Sequence, residues 1–164
     1  MHDLSLYLLD ILENSVCAGA TVIATAIDAD RRRDELSIRV EDDGPGLTVE
    51  PEQALDPFFT TKANKKTGLG LSLFRQAAEA AGGGLSVGRS DELGGVAVHA
   101  WMRLGDVDRP PLGDVAASVA TMAVTNPEIE FRVDLADGGT SVSLCGPELP
   151  RRLADLVAFQ EELP

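Results

Sequence analysis

LSIRVEDDGPG, residues 36–46, alternates apolar and polar side chains up to an acidic pair and then turns sharply. Leu36, Ile38 and Val40 share one face of a strand, since successive strand side chains point to opposite sides. Gly44 and Gly46 flank Pro45, which permits a tight turn and lets another molecule approach the backbone closely. The stretch reads in two ways. It is a plain turn after a strand, or it presents the Asp42 carboxylate to an exocyclic amine, the contact that distinguishes adenine from guanine.

Working outward, residues 21–28 are β-branched or alternating and predict a hairpin with 36–41 around the polar tract DADRRRDE. Residues 3–18 predict a helix, with apolar positions 4, 8, 11, 12 and 15/16 near the 3.6 period and Gly19 as a stop. Residues 51–66 are irregular and polar apart from PFF, and read as a loop. A second helix is predicted over 69–81, with Leu69, Leu73, Ala77 and Ala80 on one stripe and Gly82–Gly84 ending it. Strands at 85–89 and 96–103 follow across SDELGG. This order predicts an α+β fold, a two-layer α/β sandwich with helices on one face of a mixed sheet.

GDVDRPPLG, residues 105–113, reads as a linker because Pro110 and Pro111 interrupt either kind of element. The expected division is a domain over 1–104, a linker over 105–112 and a small α/β extension over 113–164. That extension shows a helix at 113–124, a hairpin of 129–135 and 140–144 across DGG, and a closing helix at 150–162. It is either a partner-docking unit or a continuation of the sheet. VAASVATMAV reads as core in preference to an interface.

The composition, 44% hydrophobic and 25% charged over 164 residues, is that of a globular chain of about one domain. A net charge of -13 repels nucleic-acid phosphates, and the basic clusters at Arg31–Arg33 and Lys62–Lys66 are short, so nucleic acid is not an expected partner. No apolar run approaches the roughly 20 residues needed to cross a bilayer, and the start MHDLSLYLLDILENS carries acids where a signal peptide carries Lys or Arg. A cytoplasmic protein without a membrane partner is expected. Cys17 and Cys145 lack CxxC spacing and are expected to be buried thiols.

On the first helix Asp3, Asp10 and Asn14 fall on one face, since a four-residue step returns to within about 40°. Glu13 lies beside them. An Asn amide oxygen beside carboxylates suits a hard cation such as Mg2+, although a solvent-facing stripe has the same pattern. In KKTGLGLSL, residues 65–73, GLG opens a helix whose backbone amides and dipole favour phosphate. Lys62, Lys65 and Lys66 upstream either close over a triphosphate or form a solvated basic loop.

Taken together, ENS, DDGPG, DPFFTTK and TGLGLSL resemble the N, G1, F and G2 boxes of the histidine-kinase catalytic domain, in the same order. That domain belongs to the GHKL ATPases, with gyrase, heat-shock chaperones and mismatch-repair proteins. The resemblance spans residues 3–104 and implies a Bergerat-type fold that binds ATP and Mg2+. It implies that Asn14 coordinates Mg2+, Asp42 binds the adenine amine, Gly44 and Gly46 line the base pocket, and Gly68 and Gly70 cradle the phosphates with Thr67, Leu69 and Leu71 of the same box. Phe58, Phe59 and Thr61 would shape a lid. Asp10 stands where the family often has a Glu, one methylene longer, which bears against efficient hydrolysis. Glu13, about 60° away around the helix, is the other catalytic candidate. Lys66 replaces the first Gly of the family's GxGLGL and adds a cation.

The given sequence begins directly in the nucleotide-binding helix, so the family's phosphoacceptor hairpin is not expected, and neither His2 nor His99 is expected to replace it. The expected activity is transfer of the ATP γ-phosphate to a separate partner protein. The alternative is an ATP-gated regulatory module with little or no transfer.

Overall fold

A computed structural model describes residues 3–58 and 67–164, excluding the side chains of 67–69. Asp3 caps the first helix, α1 (Leu4–Cys17), and its carboxylate accepts the Leu6 amide at 3.1 Å. Asp3 is therefore a cap outside the helix, and the expected Asp3/Asp10/Asn14 stripe reduces to its last two members. The amides of Leu4 and Ser5, orphans at a helix start, donate to the carbonyls of Pro111 and Leu112 at 2.8 and 2.9 Å. Leu4, Leu8, Ile11 and Leu12 are buried, as their spacing predicts.

Strands β1 (Val22–Asp30) and β2 (Glu35–Asp42) form the expected hairpin, with Ile27 opposite Ile38. They absorb half of DADRRRDE because charged residues at strand ends and on an uncovered face remain solvated; 31–34 turn. Asp30 holds that turn by accepting the Arg32 and Arg33 amides, both at 3.0 Å. A short helix, α2 (Pro51–Ala54), forms where the sequence reads as a loop, started by Pro51 at its first position.

Helix α3 (Thr67–Ala80) buries a different stripe from the expected one. Leu73 is exposed, whereas Phe74, Ala78 and Ala81 are buried. Phe74 decides the rotation: it is the largest apolar side chain on the helix and stacks on Tyr7, centroids 5.0 Å apart and planes at 6°.

Strands β3 (Gly84–Arg89) and β4 (Val96–Arg103) pair antiparallel, and β4 also pairs antiparallel with β2. After α4 (Val115–Thr125), β5 (Glu130–Asp137) lies parallel to β1, and β6 (Thr140–Cys145) returns antiparallel to β5. The expected closing helix is two pieces, α5 (Glu148–Arg151) and α6 (Leu153–Glu162), interrupted at Arg152.

The mixed sheet has the order β3-β4-β2-β1-β5-β6, so the C-terminal extension continues it. One face carries Ile23, Ile27, Ile38, Val98, Met102, Val133 and Leu135 into a single core with α1, α3 and α4. This is the α+β two-layer arrangement that the sequence predicts. Val115, Ala116, Val119 and Met122 of α4 are buried, which agrees with a core role for that stretch. Cys17 and Cys145 are exposed, contrary to expectation. Cys17 ends α1, and Cys145 alternates with the buried Leu144 on an edge strand. Among the described residues no helix is long and apolar enough to cross a membrane.

Since Leu135 is fully buried in the shared core, Leu135→Ala is expected to cost about 2–5 kcal/mol and to shift one urea transition of the whole chain. A separate transition that stays unchanged would show the extension to be energetically independent.

Candidate functional site

The polar residues of the sequence motifs converge where the C-terminal half of α1 meets the end of β2. Ser15 interrupts the apolar stripe of α1 and faces inward, where its hydroxyl donates to Asp42 Oδ2 at 2.6 Å. Asp42 is only 3% exposed. Its Oδ1 accepts two amides, from Gly44 and Val96, each at 3.0 Å. Its carbonyl accepts the Gly95 amide at 2.9 Å, which closes the 90–95 turn over it. A Cβ at position 95 would overlap the Asp42 carboxylate and carbonyl, so this turn requires glycine.

The second acid of the pair faces the other way and holds structure. Asp43 accepts the amides of Thr21 and Val22 at 2.7 and 2.8 Å and a short hydrogen bond from the Thr21 hydroxyl. Burial alone would raise the Asp43 carboxyl, but the Thr21 hydroxyl and the Val22 and Thr21 amides outweigh it and hold the group below its ordinary value. Gly46 follows at φ 86°, a left-handed conformation suited to glycine, and a Cβ there would meet nothing within 4 Å. The turn therefore leaves open space beside Gly46, whereas a Cβ on Gly44 would come within 3.2 Å of Asp42 Oδ1.

One turn before Asn14, Asp10 packs against the start of α3: a Cβ on Gly70 would lie 3.3 Å from Asp10 Oδ2. Ser15 and Asp10 are about 7.5 Å apart along α1, so this one helix touches both the buried acid and the Gly-rich helix start. Asn14 is half-buried between them, and Glu13 is exposed. The backbone of Thr67, Gly68 and Leu69 opens α3, and Gly70 and Leu71 complete its first turn. Phe59, Thr61, Lys62, Lys65 and Lys66 lie outside the described residues, as do the side chains of Thr67 and Leu69. Phe58 is 93% exposed and does not anchor its segment on the described core.

Ser15, Asp43, Gly95 and Val96 were not singled out by sequence reasoning. Ser15 had a signal, since a hydroxyl in an apolar stripe needs a buried partner. Val96 acts through its backbone and had none.

Such an arrangement can take a further N–H donor. A carboxylate has about four lone-pair directions, and donors among the described residues fill three of those on Asp42. The one that remains is on Oδ2.

Residues 2–106 match the family described as histidine kinase-, DNA gyrase B- and HSP90-like ATPases. No curated protein matches the chain. Among solved structures, the fold is similar to the N-terminal domain of a DNA repair protein, with a TM-score of 0.54 and 15% identity over 88% of this chain and 52% of that one. It thus spans about half the length of that relative. The Aquifex aeolicus MutL ATPase domain, complexed with ADP, gives a TM-score of 0.51 and 17% identity over 96% of this chain and 70% of that one.

Two variants check this geometry. Ser15→Ala is expected to cost about 2 kcal/mol of unfolding free energy, because a buried carboxylate loses a donor. Asp43→Asn should be less stable than the parent above about pH 4, and the gap should close as pH falls, since a depressed carboxyl contributes stability that is lost on protonation. A pH-independent gap in denaturation curves would refute the latch. On the match over residues 2–106, the chain belongs to the histidine kinase-, DNA gyrase B- and HSP90-like ATPases.

Proposed function

We propose that this chain binds Mg2+–ATP, with adenine at Asp42 and phosphates at the start of α3, and passes the γ-phosphate to a separate partner protein. The observation that carries the reading is the saturation of Asp42 by three protein donors with one acceptor direction left. An exocyclic amine fits there; the carbonyl of guanine would meet a buried carboxylate without a proton between them. The fold shared with the ADP-bound MutL domain supports an adenine nucleotide.

The donor set also suits Mg2+. Asn14 is half-buried one turn from Asp10, and an amide oxygen near a carboxylate is hard-donor chemistry. Asn14 would hold the cation, which would neutralise phosphate charge. The protein's own part would be positioning: the amides of Gly68 and Gly70 would face the phosphates at the start of the helix, and the sequence supplies Lys62, Lys65 and Lys66 just upstream as further positive charge. Asp10 and Glu13 are the carboxylates available to orient an attacking group.

A second reading is favoured by Asp10 itself. A shorter acid packed against Gly70 supports a role in joining α1 to α3 more than in activating water. The protein would then use ATP occupancy to alter its grip on a partner, with slow hydrolysis or none.

Incubation of the full chain with γ-labelled ATP and cell extract is expected to label a partner protein, and Asn14→Ala to abolish that label. An unlabelled extract would reject transfer. Equal partner capture with ATP and with a non-hydrolysable analogue would then support gating.

A further inference from the structure

The sheet face opposite the helices contains a cavity of about 430 Å³ over β2, β4 and β3, lined by Arg39, Glu41, Ser86, Gly88, Arg89 and His99 and closed at one end by Asp91 and Glu92. Cross-strand pairing explains it. Arg39, His99 and Ser86 form one row across the three strands, and Glu41, Ala97 and Gly88 form the next. The second row has almost no side chain at its centre: a Cβ on Gly88 would meet nothing within 4 Å. The hollow is therefore the space that Ala97 and Gly88 leave between longer neighbours.

Its charges follow the rows: Arg39 stands in the first and Glu41 in the second, while Arg89, paired with Val96, lies one row beyond. Arg39 and Arg89 take part in none of the ion pairs among the described residues, although acids outnumber bases 27 to 14 in the chain. His99 is fixed by a 2.9 Å hydrogen bond between its Nε2 and the Ser37 hydroxyl, and its ring is tilted against Trp101. Burial, then the charge of Arg39, hold the imidazole below its ordinary value against the pull of Glu35. The two guanidinium groups thus carry the positive charge. Away from Arg39 stand Glu41, which accepts the Ser90 hydroxyl at 3.1 Å, and Asp91 and Glu92.

We propose that this cavity is a second binding site, for a small molecule with a carboxylate or phosphate at one end and an amine at the other. The anion would meet Arg39, whose planar guanidinium suits oxyanions. The amine would meet Glu41, Asp91 and Glu92. The volume lies within the range of about 300–1,000 Å³ usual for ligand sites. Asp42 points to the other face of β2, so the site is separate from the nucleotide pocket and does not depend on that reading.

Titration of the isotope-labelled full chain by NMR tests it, with aminoethyl phosphate as the phosphate probe and aminopropionate as the carboxylate probe. At least one should shift the Gly88, Ala97 and His99 amides saturably, and which one does identifies the anionic group. Gly88→Val should weaken that binding by at least about tenfold. Valine suits a strand, and its Cβ here would meet no protein atom within 4 Å. Arg39→Gln should weaken it likewise, which keeps the test decisive if the valine variant folds poorly. Neither probe saturating, or unchanged binding in a folded variant, would overturn the proposal.

Discussion

The carboxylate of Asp42 sets the constraint on which the site depends. Taking an ionised carboxylate out of water costs several kcal/mol unless the protein supplies hydrogen-bond donors. The donors come from three places in the chain: the Ser15 hydroxyl on α1, the Gly44 amide in the turn after β2, and the Val96 amide at the start of β4. Satisfying one acid therefore fixes the rotation of α1, the path of the Gly-rich turn and the closure of the 90–95 turn. Asn14, next to Ser15, and Asp10, one turn earlier, inherit their positions from that arrangement. Asp43 divides the labour by binding the start of β1.

Much of this was legible in the sequence because it is local. Alternation over 36–42 and helical spacing over 4–12 each report one element's own buried face, and both survive in the structure. The motifs were legible for a related reason: their chemistry is tied to particular residue types at short spacing. What the sequence hid depends on distant partners. Phe74 rather than Leu73 faces inward because Tyr7, more than sixty residues earlier, offers a ring to stack on. The pairing of β5 beside β1 is parallel and non-local, and nothing in either strand's pattern selects it. Cys17 and Cys145 have apolar side chains but stand where an element ends or where the sheet has an edge, so exposure there follows from position. Val96 is a backbone donor, and side-chain identity carries no record of that.

The C-terminal extension has a physical role in this scheme. The carbonyls of Pro111 and Leu112 complete the hydrogen bonding at the start of α1, while α4 packs along the same helix in the shared core. The helix that bears Asp10, Asn14 and Ser15 is thus held from both ends, by the linker at its start and by Asp42 near its finish.

The central claim is that a buried carboxylate with one unfilled acceptor direction selects adenine. Calorimetric titration of the full chain with ATP, ADP and GTP, with and without Mg2+, tests it most directly. Adenine nucleotides are expected to bind, and GTP to bind at least about 100-fold more weakly, because its carbonyl would face the buried carboxylate with no proton between them. Equal affinity for ATP and GTP, or no nucleotide binding at all, would contradict the account.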